Sequence, residues 1–203
     1  AGEPDMYPAL GLHPVYLETH DVADIDRLGD WLADHRPVAI GEIGLDYYLR
    51  ELDRERQQVL FEAQLELARD AGLPVILHVR KSHDQVLATL KRIRVPGGIS
   101  HAFNGSLQQA RQYMDLGFRL GFGGMLTYER SSKLRALAGQ LPVEALVLET
   151  DAPYMVVSRH RGERNSPEFL PQVLAALAEV RGEAAADLAL QTAANTRSVL
   201  GLS

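Results

Sequence analysis

Short apolar runs alternate with longer amphipathic stretches along this chain, a pattern that predicts parallel strands joined by helices. The strand-like runs are residues 9–12, 38–41, 74–79, 98–101, 118–121 and 145–149. Between them, residues 21–34, 53–71, 83–92, 107–116 and 131–141 place apolar side chains three and four apart, as at Val59, Ala63, Leu67 and Ala71. Gly72 ahead of Pro74 marks the end of one helix, and Gly117 the end of another. Gly182 divides the tail into two helices, 167–181 and 184–200.

This order implies an α/β fold and a single domain spanning residues 1–203. The expected architecture is a TIM-type (β/α)8 barrel. A full barrel takes about 250 residues, and six strands are visible in 203 residues. The first of them follows closely on Ala1, so the barrel is expected to be incomplete and to lack its first one or two β/α units at the N-terminus. An open, doubly wound six-stranded sheet is the rival arrangement, and periodicity does not separate the two.

Composition narrows the function classes. Hydrophobic residues make up 46% of the chain, enough for a continuous core. The net charge of −6 argues against a broad basic surface for gripping duplex nucleic acid, but not against a nuclease whose cations supply the local positive charge. No apolar run approaches the roughly 20 residues that span a bilayer, so a soluble protein without membrane contact is expected. The absence of Cys removes disulfides and thiolate metal sites, and the cytoplasm is the expected compartment.

Reactive groups of parallel α/β folds gather at the carboxyl ends of strands. Five of the runs end there in titratable residues: His13, Glu42 with Asp46, His78 with Arg80 and Lys81, His101, and Glu149 with Asp151. Each alone has a structural explanation, but five at one topological position point to a shared site. Imidazoles and carboxylates without thiolates suit Zn²⁺, Mn²⁺ or Mg²⁺, and a metal-free acid/base pocket would need fewer of them. His20 and His35 read as solvated helix ends, and His83 as a helix start. Residues 158–165, with Arg159, His160, Arg161 and Arg164, form a basic loop that could contact substrate; Arg80, Lys81 and Arg130 would add charge to the same rim. Tyr47, Tyr48 and Phe103 could stack on bases, although rings at strand ends more often wall off a barrel mouth.

The ordered motifs Gly11-Leu-His-Pro14, Gly41-Glu-Ile-Gly-Leu-Asp-Tyr47, Leu73-Pro-Val-Ile-Leu-His78, Ser100-His-Ala-Phe-Asn-Gly105 and Leu148-Glu-Thr-Asp-Ala-Pro153, with Arg164-Asn165 and Asn195-Thr196, resemble the TatD family of metal-dependent deoxyribonucleases. The resemblance implies that Glu42, His78 and His101 hold one divalent ion and that Asp151, with Glu42 bridging, holds a second. It also implies that Asp151 and Glu42 serve catalysis and that His13 touches the scissile phosphate. Arg80, Arg161 and Arg164 are the further substrate-binding candidates. A His-x-His pair on the family's first strand has no counterpart here, in keeping with the strand count, so the expectation is two ions in a complete protein and one in this chain. The implied substrate is DNA, as single strands or ends degraded 3′ to 5′, with no obligate protein partner. An amide or ester hydrolase, such as an aminoacyl-tRNA deacylase, is the alternative enzyme; a metal-binding protein without turnover is the third reading.

Overall fold

The structure is a computed structural model that describes residues 6–202. Six strands, β1 (Ala9–Leu10), β2 (Ala39–Asp46), β3 (Val75–Arg80), β4 (Gly98–Ser100), β5 (Phe118–Phe122) and β6 (Leu146–Leu148), are ordered along the sheet as they are along the chain. Among the described residues seven α-helices alternate with them or follow them: α1 (Ala23–Asp34), α2 (Arg54–Ala71), α3 (His83–Arg92), α4 (Leu107–Asp115), α5 (Ser132–Gln140), α6 (Leu170–Arg181) and α7 (Ala185–Leu200). The α/β class and all six strands agree with the apolar pattern. Two compact units divide the chain within β4: one runs to Ile99 and takes in Leu200–Leu202, and the other is Ser100–Val199.

In the first unit β1 pairs with β2 and β2 with β3, all parallel, from Ala9 opposite Ala39 to Asp46 opposite Arg80. Seven of the eight β2 residues are buried, as expected of a strand covered on both faces. β2 runs five residues past the predicted end, because the sequence Gly-Glu-Ile-Gly-Leu-Asp has weak strand propensity but is held by β3. Gly44 is required there: its φ is +143°, and a Cβ would lie 2.0 Å from the His78 carbonyl oxygen. Ile40, Ile43, Leu45, Leu65, Phe61 and Leu77 form the centre of this unit's core. Asp53 caps α2 by accepting from the backbone N–H groups of Glu55 and Arg56, and Gly72 ends the helix in the left-handed region, as its position ahead of Pro74 foretells.

In the second unit β5 and β6 pair in parallel, Leu120 opposite Leu146 through Phe122 opposite Leu148. A Ser106/Gln109 capping box starts α4. Phe103, Tyr113 and Phe118 pack edge to face, with centroids 5.8 and 6.0 Å apart. Buried Asn195 on α7 donates from Nδ2 to the carbonyls of Val143 and Leu146, tying the helix to the entry of β6.

Candidate active site

The first unit brings three predicted site residues together. Glu42 lies where the β2–β3 register shifts between Gly41 and Ile43, a bulge that re-aims its side chain off the regular alternation. His78 is the fourth residue of β3, inside the strand rather than at its end. His13 caps the 3-10 helix Pro14–Thr19, accepting at Nδ1 from the Val15 N–H. One ligand atom each from His13, Glu42 and His78 lies within 4.8 Å of the others. His13 Nε2 is 3.3 Å from Glu42 Oε2, and the two imidazole centroids are 4.6 Å apart. Because Nδ1 of His13 accepts, a neutral ring carries its proton on Nε2 and presents a donor, not a metal lone pair. That agrees with a phosphate-contacting role better than with a ligand role.

The second unit brings together His101, one residue past β4, and Asp151, three past β6. His101 Nε2 lies 3.8 Å from Asp151 Oδ1, and its Nδ1 lies 2.9 Å from Glu149 Oε1. Ala102 and Asp151 both have positive φ, +43° and +57°, so the backbone turns sharply at both positions.

Four further residues shape these clusters: Asp46 and Glu149, noted at strand ends in the sequence but given no role there, and Gln57 and Gln64, which the sequence did not single out. Asp46 is fully buried; its Oδ1 accepts from the backbone N–H groups of Tyr48 and Leu49, and its Oδ2 lies 3.0 Å from His78 Nε2. Burial alone would raise the Asp46 pKa, but the hydrogen bonds from His78, Leu49 and Tyr48 outweigh it and hold the carboxyl below its ordinary range. Gln57 and Gln64, two turns apart on α2, clamp backbone instead of facing water. Gln57 exchanges two hydrogen bonds with the Asp46 main chain, and Gln64 does the same with Leu12, next to His13. The signal available in the sequence was their seven-residue spacing on the face that also carries Leu60, Phe61 and Leu65. Glu149 accepts from the Ala102 N–H as well as pairing with His101. It occupies space left by Gly121, whose Cβ would lie 2.2 Å from Glu149 Oε2.

The remaining candidates separate clearly. Arg80 is exposed and stacks over the Tyr48 ring at 3.8 Å, with Nη1 3.9 Å from Asp46 Oδ2. Arg161 and Arg164 are exposed in the loop after β6, and Arg130 lies 5.3 Å over Tyr128. His160 is fixed by Glu163 at Nδ1 and stacks on Phe169. Lys81 has a φ of +59° directly after β3. His35 ends α1 stacked on Trp31, His83 begins α3 in a buried position, and His20 follows the 3-10 helix Pro14–Thr19, all outside the clusters described. Phe103 is core, not mouth, at 1% exposure. Tyr47 lies beneath Arg54, and burial raises its pKa.

A family model described as TatD related DNase matches residues 1–201. The chain belongs to the TatD family. Similar TatD-type proteins include the uncharacterized metal-dependent hydrolase YjjV of Escherichia coli K12, 44% identical over 201 residues, covering 97% of this chain and 77% of that protein. The 3′-5′ ssDNA/RNA exonuclease TatD of Klebsiella pneumoniae strain 342 is 38% identical over 203 residues, with the same two coverages. The crystal structure of the E. coli TatD homologue YjjV superposes with a TM-score of 0.93 at 43% identity, again over 97% of this chain and 77% of that one. As a TatD protein the chain is a metal-dependent hydrolase on an α/β fold with parallel strands. Its donor sets fit a divalent cation: imidazoles and carboxylates stand together without thiolates, and each imidazole has a carboxylate at one ring nitrogen, Asp46 at His78 Nε2 and Glu149 at His101 Nδ1.

Proposed function

We propose that this chain hydrolyses phosphodiester bonds of DNA with a divalent cation, removing nucleotides from single strands or ends in the 3′ to 5′ direction. The observation that carries the reading is that Glu42 and His78 bring ligand atoms within 4.8 Å of each other, with a His13 ring nitrogen equally near to meet a phosphate, in a TatD chain. The 38% identity to a named single-strand exonuclease supports the choice of substrate.

By the family resemblance, Glu42, His78 and His101 would hold one ion, and Asp151 with Glu42 would hold a second; Mg²⁺, Mn²⁺ and Zn²⁺ all suit these donors. The bound cation supplies Lewis acidity and positive charge at the phosphoryl group. His13 donates from Nε2–H to a phosphoryl oxygen, and its Nδ1 bond to Val15 keeps the ring in that orientation. The Asp151 carboxylate accepts the proton of the attacking water. Arg80, Arg161 and Arg164 bind backbone phosphates, which an otherwise acidic molecule needs.

Incubation of the chain with end-labelled single-stranded DNA and Mg²⁺, Mn²⁺ or Zn²⁺ tests the reading. Metal-dependent shortening from the 3′ end is expected, and Glu42→Ala or Asp151→Ala should each reduce it at least about 100-fold. Absence of shortening together with hydrolysis of an aminoacyl-tRNA ester would instead support a deacylase.

A further inference from the structure

We propose that Asp46 is a positioning residue that sets the tautomer of His78, so that Nδ1 rather than Nε2 is the nitrogen presented to the cation. The inference rests on the reading of His78 as a metal ligand given above. Asp46 is the last residue of β2, and Gln57 fixes its main chain from both sides. Its two oxygens have divided tasks. Oδ1 takes the backbone N–H groups of Tyr48 and Leu49 at 2.9 and 3.1 Å, and Oδ2 takes His78 Nε2 at 3.0 Å. A carboxylate accepts and cannot donate, so Nε2 of the neutral ring must carry the hydrogen and Nδ1 the lone pair. With no exposed surface on Asp46, bulk water cannot take its place.

His101 has the opposite arrangement. Glu149 faces its Nδ1, so the proton belongs on Nδ1 and the lone pair on Nε2, the nitrogen nearer Asp151. Moreover, one oxygen of Glu149, Oε1, serves both the Ala102 N–H and His101. The two carboxylates therefore respond differently to conversion into amides. In Asp46→Asn the Tyr48 and Leu49 N–H groups retain the amide oxygen at the Oδ1 position, which turns the NH2 group towards His78. A donor facing Nε2 forces the proton to Nδ1 and removes the coordinating lone pair. In Glu149→Gln the single carbonyl oxygen can still accept both hydrogen bonds, and the His101 tautomer is kept.

The experiment is ring ¹⁵N NMR of the full chain stripped of metal, combined with Mn²⁺ affinity by competition against a chelator. The native chain should show His78 protonated at Nε2, Asp46→Asn should show it protonated at Nδ1, and Mn²⁺ affinity should fall about 10- to 100-fold in that variant. Glu149→Gln should leave the His101 tautomer unchanged and lose less affinity. Native His78 protonated at Nδ1, or an Asp46→Asn chain with unaltered tautomer and affinity, overturns the proposal. The native tautomer is read without any substitution, so it decides even if the variant does not fold. A correct tautomer in a chain without nuclease activity would count against the proposed substrate and not against Asp46.

Discussion

At Asn165 one buried amide spans the turn that carries Asp151: Nδ2 donates to the carbonyls of Thr150 and Tyr154, Oδ1 accepts from the Ser166 N–H, and the main-chain N–H bonds to Pro153. Asn165→Ala orphans these buried groups and should lower stability by about 1–3 kcal/mol, measurable by urea unfolding. It should also reduce turnover through Asp151. The Asp46 carboxyl carries a second prediction. Its folded pKa lies below the unfolded one, so its contribution to stability is present above the ordinary carboxylate range and is lost as pH falls through the folded value. Unfolding midpoints followed below pH about 4 should decline less steeply in Asp46→Asn than in the native chain. His13, Glu42, His78, His101 and Asp151 were legible in the sequence because each ends or follows an apolar run. Gln57 and Gln64 were not singled out, and Asp46 was noted without a role, because a polar residue that bonds to backbone looks in a sequence like one that faces water.

Elements place these residues with little tolerance. β5 passes Glu149 with Gly121, and in Gly121→Ala the new methyl would overlap the carboxylate. The variant should lose about 1–3 kcal/mol of stability. It should also bind Mn²⁺ more weakly, since Glu149 can no longer sit against His101; unchanged affinity would show that Glu149 does not position the ring. Element existence was readable from periodicity, and helix ends from Gly72, Gly117 and Gly182, which all adopt positive φ. What the pattern missed were lengths set by partners. β2 extends to Asp46 through a bulge at Glu42, β3 extends to Arg80, and the 3-10 helix Pro14–Thr19 follows His13. None of these has a local signal as strong as the tertiary contact that imposes it.

For the whole molecule, a net charge of −6 limits how DNA can be held. If Arg80, Arg161 and Arg164 are the phosphate contacts, log K against log salt should have a slope of about −2 for single strands. A much steeper slope would reveal a larger basic surface than the sequence offers. No helix among the described residues is long and apolar enough to cross a membrane. Whether Glu42 and His78 hold the cation is tested most directly by a Mn²⁺ binding titration of the native chain beside Glu42→Ala and His78→Ala. The native chain should bind Mn²⁺ and each variant at least about tenfold more weakly. Equal binding by all three would contradict that role.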